Sequence, residues 1–174
     1  VKESESLHRF IVNSSPDLVF MLDREGRFSF VNDRIESMLG FDKKALLGQH
    51  VTALIEESDW DAASQLFGER RTGTRVSKNV ELRLKSKLQD RRAGSDRTQT
   101  VWAEFTAMGV YAGDGEPSSV NFSGTYATAR DVSERKRAQA LINFQAHHDL
   151  LTHLPNRILL KERLDGALIE SQRK

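Results

Sequence analysis

The 174-residue chain contains no cysteine. Disulfides, thiolate metal sites, iron–sulfur clusters and thiol nucleophiles are therefore excluded together. Long apolar runs are missing as well. The densest, Leu18 to Leu22, is five residues long, far short of the roughly 20 needed to cross a bilayer. The opening residues, Val1-Lys2-Glu3-Ser4-Glu5, have neither the basic start nor the apolar stretch of a signal peptide. With no initiator Met, the chain is expected to be a segment of a longer protein. Excess charge is also absent: the formal net charge is +1, whereas a dedicated nucleic-acid binder is normally strongly basic. There is no G-x-S-x-G elbow, P-loop or H-E-x-x-H pair, and the carboxylates are scattered, so no catalytic set emerges. What is present suffices for one core, since 38% of the residues are hydrophobic and 29% charged.

Dividing the charge tells more than summing it. Residues 130–174 carry nine Lys+Arg and six Asp+Glu, a balance of +3, which leaves −2 for residues 1–129. The texture changes at the same point, from Gly-punctuated alternation to long helix-forming runs. A globular domain followed by a helical tail is expected.

Leu7, Phe10 and Ile11 stand at i, i+3 and i+4, the spacing of a short amphipathic helix that Pro16 stops. Residues 17–22 and 28–31 read as a β-hairpin around Asp23-Arg24-Glu25-Gly26-Arg27. Three short helices follow. Asn32 or Asp33 can cap the first, which carries Ile35, Met38 and Leu39 and closes at Gly40. Asp42 can cap the second, with Ala45, Leu46 and Leu47. Ser58 or Asp59 can cap the third, with Ala62, Ala63, Leu66 and Phe67 on one face and Arg70 and Arg71 at its end. In the next strand Val76, Val80, Leu82 and Leu84 point one way and Asn79, Glu81, Arg83 and Lys85 the other. Residues 86–100 are a polar connector, and 101–111 and 120–130 supply two more strands. The fold class is α+β: a five-stranded antiparallel sheet with short helices on one face, flanked by an N-terminal helix and C-terminal linker helices. Asp131 to Glu134 fits a capping box for the helix that runs on to about Asp149. Arg137, Leu141, Phe144, His148 and Leu151 give it only a weak coiled-coil seam.

Two resemblances rest on these residues. The stretch NSSPDLVFMLDREGRFSFVNDRIESMLGFDKKALLGQHVTALI resembles the first half of a PAS sensor domain, with Asn32 opening the first short helix and Leu39-Gly40 closing it. VWAEFTAMGVY resembles the fourth PAS strand, and SGTYATARDVSERKRAQ the fifth with its exit motif. The tail segment HHDLLTHLPNR is similar to the D-x-L-T-G-L-P-N-R signature that opens GGDEF-type diguanylate cyclase domains, with His153 in place of Gly. That resemblance implies a wide turn built by Asp149, Thr152, Pro155, Asn156 and Arg157, not a catalytic site. The implied domains are an N-terminal helix at 1–16, a PAS domain at 17–132, a signalling helix at 133–148 and the truncated start of a GGDEF domain at 149–174. The catalytic loop of such a domain is not in this sequence.

PAS domains hold haem, flavin, small organic ligands or nothing. Without Cys, cysteinyl-flavin and thioester-linked chromophores are excluded. Haem needs an axial ligand, usually His, and residues 59–67 supply none. A small-molecule ligand stays open, with Asn32, His50, Trp60 and Trp102 as pocket candidates. For the tryptophans, packing is the preferred reading, and for Asn32, helix capping. His147-His148-Asp149 argues against a metal site, because adjacent helical residues project about 100° apart. Asp131, Glu134 and Arg135 are read as the transmission joint between sheet and helix.

The resemblance implies a sensory module of a bacterial cyclic-di-GMP signalling protein. It is expected to be a cytoplasmic homodimer through Leu7, Phe10, Ile11 and the apolar outer face of the sheet. Its partner is a GGDEF output domain in the same parent chain. Neither nucleic acid nor membrane contact is expected of this segment, although the parent could be anchored upstream. The chain by itself is not expected to be an enzyme. The rival reading is a ligand-free PAS interaction module, which a solid core across Phe20, Phe30, Leu66 and Phe105 would favour.

Overall fold

The computed structural model describes residues 10–68, 77–88, 100–113, 120–149, 152, 154–157, 159–161 and 163–164. Two compact units divide the chain, residues 1–132 and 133–174.

In the first unit, helical backbone at 10–13 precedes β1 (Leu18–Leu22), β2 (Phe28–Val31), α1 (Arg34–Leu39) and α2 (Lys43–Leu46). Single 3-10 turns at Val51–Leu54 and Glu57–Asp59 lead into α3 (Trp60–Gly68), then β3 (Ser77–Leu84), β4 (Val101–Tyr111) and β5 (Phe122–Asp131). The five strands form one antiparallel sheet in the order β2-β1-β5-β4-β3. This is the expected α+β architecture. Local signals explain most element ends. Asp42 accepts from the Lys44 and Ala45 amides and so caps α2. Gly40 closes α1 in the left-handed region at φ 72°, where a Cβ would be strained. Gly124 on β5 is required for a different reason, because a Cβ there would drive into the Leu22 carbonyl of β1.

One face of the sheet carries Leu18, Phe20, Leu22, Leu82, Leu84, Phe105, Ala127 and Ala129, all buried. The helical layer closes over it with Ile35, Met38, Leu39, Leu46, Leu54, Ile55 and Leu66. The alternation on β4, buried at Val101, Ala103, Phe105 and Ala107, is that of a strand with one dry face.

The structure corrects several details of the expectation. Phe30 is half-buried under Lys43, and Phe28 takes its place in the core. Leu47 is exposed rather than packed, as is Ala62. The alternation of β3 breaks at Asn79, whose positive φ of 61° marks an irregularity against β4. Val120 is exposed and precedes β5. The outer face of the sheet is not uniformly apolar. Met21, Tyr126 and Met108 form an apolar row, but Glu81, Glu104 and Arg130 are in register across three strands beside it. Leu7, Arg70, Arg71, Val76 and most of the 86–100 connector lie outside the described residues.

The second unit begins with α4 (Ser133–His147) and continues through a turn to helical backbone at the described positions between 157 and 164. Among the described residues, no helix is long and apolar enough to cross a membrane.

Candidate functional site

The four pocket candidates occupy different places. Asn32 is fully buried and does not cap α1; that position belongs to Asp33, which makes no side-chain cap bond. Instead, the Asn32 Oδ1 accepts from the Val19 amide at 3.0 Å, and its Nδ2 donates to the carbonyls of Val12 and Asp17 at 3.0 and 3.1 Å. A neutral amide, with both donor and acceptor capacity, suits this site where a carboxylate would not. His50 is exposed and caps the first 3-10 turn through Nδ1, close to the Thr52 hydroxyl and amide. Trp60 is 41% exposed and donates from Nε1 to the Ile55 carbonyl. Trp102 lies half-buried between Val101 and Ala103, on the opposite face of β4 from the core.

Where sheet and helices meet, four phenylalanine rings pack against one another. Phe20 packs edge-on against Phe28 (5.4 Å between centroids) and Phe105 (6.4 Å), and Phe67 closes the group at 6.0 Å from Phe20 and 5.8 Å from Phe105. Such tilted and edge-to-face contacts are favourable in themselves. Phe20, Phe28 and Phe105 are at most 2% exposed, so the centre of the fold is aromatic packing. An open depression of about 280 Å³ lies elsewhere, lined by Glu36, Gly40, Phe41 and Asp42.

The end of the edge strand and the extended residues after it carry an arrangement that sequence reasoning did not find. Arg83, Lys85 and Lys87 alternate with buried Leu84 and Ser86, and each cation lies over a ring from a different part of the fold. The Arg83 guanidinium is 5.4 Å from the Trp102 centroid, Lys85 is 5.8 Å from Trp60, and Lys87 is 4.7 Å from Phe41. Arg83 also binds Asp59 as a fork, with Nε to Oδ2 at 3.1 Å and the terminal nitrogen to Oδ1 at 2.6 Å, while its amide donates to Oδ2 at 2.7 Å. These bonds hold the Asp59 carboxyl below the usual carboxylate range and raise the Arg83 guanidinium above its own. Asp59 is therefore an anchor to β3, where a helix cap had been one alternative. Arg83 and Lys85 were visible in the sequence on one wet face of a strand and Lys87 was placed in the connector, but the ring partners are non-local.

At the exit, β5 ends at Asp131, Val132 donates its amide to the Trp102 carbonyl at 2.8 Å, and α4 starts at Ser133. Arg130 grips Asp17, with Nε at 3.1 and 3.3 Å from the two carboxylate oxygens and a terminal nitrogen at 3.0 Å. Glu134 and Arg135 are exposed in the first turn of α4.

In the second unit the turn residues converge. Asp149 Oδ1 accepts from the Thr152 amide and hydroxyl, both at 2.9 Å. Asn156 donates from Nδ2 to the Ala146 carbonyl at 2.7 Å and accepts from the Leu159 amide at 3.1 Å. Pro155 bridges to His148, and Arg157 is exposed at a helical position. The rings of Phe144 and His148 stack at 4.3 Å. Phe10 and Ile11, the described members of the dimer set, are 69% and 58% exposed. Among the described residues, no group of three or more His, Asp or Glu side chains could hold a metal.

A family model described as the PAS fold matches residues 7–123. The chain belongs to the PAS family. The PAS domain of a Colwellia psychrerythraea protein has the same fold, with a TM-score of 0.60 at 17% identity over 76% of this chain and 99% of that one. A PAS domain from a two-component sensor histidine kinase gives 0.51 at 13% identity, covering 75% of this chain and 97% of that one. An RNA-binding light-oxygen-voltage receptor gives 0.55 at 15% identity, covering 82% of this chain and 37% of the other. At these identities the likeness is one of fold. In sequence, the chain is 26% identical over 172 residues to the uncharacterized protein y4lL of Sinorhizobium fredii (strain NBRC 101917 / NGR234). The match takes in 95% of this PAS chain but 19% of that relative, so the chain spans about a fifth of the relative's length. A PAS sensory or signalling domain is therefore present over the matched residues 7–123.

Proposed function

We propose that this PAS domain is a dimerising signalling module that passes its state through α4 to a GGDEF-type output domain, and that its interior holds no ligand. The observation that carries the second part is the interlocking of Phe20, Phe28, Phe67 and Phe105 at the centre of the fold. Close packing there leaves the signal to arrive by contact with protein rather than by occupancy of a cavity. The output reading is supported by the sequence D-L-L-T-H-L-P-N-R and by the way Asp149, Thr152 and Asn156 tie the turn together. Dimerisation is supported by exposed Phe10 and Ile11 and, on α4, exposed Leu141 and Phe144, three residues apart on one helical face. Two cyclase domains must meet to join two GTP molecules, so dimer geometry is a natural control variable. A signal can act only by favouring one helix arrangement over the other.

Cysteine cross-linking tests the dimer. L141C and F144C chains should form disulfide-linked dimers, and a chain that stays monomeric at high concentration would overturn the reading. Heating the protein with and without extracted cell metabolites tests the filled interior. An unchanged Tm is expected, and a rise of several degrees would restore the ligand-sensing alternative. For the output, the chain joined to an intact GGDEF domain should make cyclic-di-GMP from GTP and a divalent metal. Insertions of one to four residues into α4 should alter that rate.

A further inference from the structure

We infer that Asp17 is a joint coupling the N-terminal helix to the exit strand, so that this module receives its input through the helix before β1. Asp17 uses two different groups in two directions. Its backbone carbonyl accepts from the buried Asn32 amide, whose nitrogen also holds the Val12 carbonyl at the end of the helical turn at 10–13. Its carboxylate accepts three bonds from Arg130 on β5, two residues before Val132 and three before α4 begins. Asn32 is held from a third side by the Val19 amide of β1, so it cannot follow one partner without straining the others. The backbone between Val12 and Asp17 is short and itself tied, with the Ser14 amide on the Phe10 carbonyl at 2.9 Å and the Asp17 amide on the Ser15 hydroxyl at 3.2 Å. A displacement of the helix therefore reaches Asp17, and through its carboxylate reaches β5, by a path of direct bonds that does not use the aromatic contacts.

Asn32 and Asp17 are positioning residues in this scheme, and Arg130 is the contact that carries the shift to the exit. Its significance for signalling rests on the function proposed above, but the coupling can be measured without any output domain.

The test is amide hydrogen exchange on the full 174-residue chain. R130M and D17N should each speed exchange at Ser14 and Ser15 about fivefold, although Arg130 bonds to neither residue. The double variant should do no more than either single one, because both remove the same link. R130K keeps the charge without the planar fork and should fall between wild type and R130M. In the other direction, N32S should speed exchange at Val132. Amides between β3 and β4 should stay within about twofold of wild type throughout. Unchanged Ser14 and Ser15 in R130M would overturn the joint, as would acceleration that rises in step with the β3–β4 amides, which marks general loosening. Should N32S fail to fold, R130M and D17N decide the matter. Failure of the cyclase assay with this exchange pattern intact would remove the GGDEF reading alone.

Discussion

The two units of this chain hold their apolar side chains in opposite ways. In residues 1–132, the large aliphatic and aromatic groups of the sheet's inner face are at most a few per cent exposed. In residues 133–174, Leu141, Ile142, Leu154, Leu160 and Leu164 are 55–63% exposed, and polar bonds from Asp149 and Asn156 shape the turn. A body of the first kind draws its stability from burial within itself. A helix of the second kind is marginal alone, because a 15-residue helix in water depends on packing of its apolar side. Under the proposed function, this contrast would let the body stay rigid while α4 takes different partners or registers.

The sharpest way to break that contrast is to hollow out the body. Phe20→Ala should cost about 3–5 kcal/mol, because it removes a ring packed on three others and leaves a cavity. Urea denaturation followed by circular dichroism should show it, and a loss below about 1 kcal/mol would mean the interior is loosely filled. Next in size is Asn32→Ala, at about 2–4 kcal/mol, since it strands a buried amide and two carbonyls without partners. Asp59→Asn should cost about 1–2 kcal/mol, discounted because the Arg83 side chain is 36% exposed. It should also shift the emission of Trp102, over which Arg83 lies.

The Asp59 carboxyl is depressed in the folded state by its bonds to Arg83, so its sign is fixed. Its contribution is fully present above the unfolded value of about 3.9 and is lost as pH falls through the lower folded value. Wild type should therefore lose stability in that acid window more steeply than Asp59→Asn, as paired denaturation curves at pH 5 and pH 3 would reveal. The smallest stability effect belongs to the second unit. Leu141→Ser and Phe144→Ser should leave the melting of the body within about 0.5 kcal/mol of wild type while weakening self-association in sedimentation. A large loss of body stability would erase the contrast between the units.

Much of the body was legible from sequence because its signals are local. The strand at 101–111, the Asp42 cap and the Gly40 stop each rest on signals that act over a few residues, and each stands in the structure as the local chemistry requires. The candidate site was much less legible. Asn32 attracted attention as a helix cap, yet its side chain turns inward to Val12, Asp17 and Val19, positions 13 to 20 residues away. Asp59 had the same ambiguity and resolved towards Arg83, 24 residues on. A short polar side chain before a helix can satisfy the nearest amides or a distant group, and propensity does not choose between them. The outer face of the sheet is a related case. Strand alternation showed which side chains face outward, but not that Glu81, Glu104 and Arg130 would be in register across three strands.

The sequence by itself determined that this is a five-stranded α+β PAS domain without thiol chemistry, followed by a helical segment of different charge. The α+β class and the absence of thiol chemistry follow from composition and periodicity, and the PAS reading from the resemblance of short motifs; all are properties of neighbouring residues. Only the tertiary structure decided that four phenylalanines pack together at the centre, that three cations of one extended segment each cover a ring, and that Asp17 meets Arg130 across 113 residues of chain. Those outcomes depend on strand order and register. The β2-β1-β5-β4-β3 order places the first and last strands side by side, and that adjacency brings the entry and exit of the domain into direct contact.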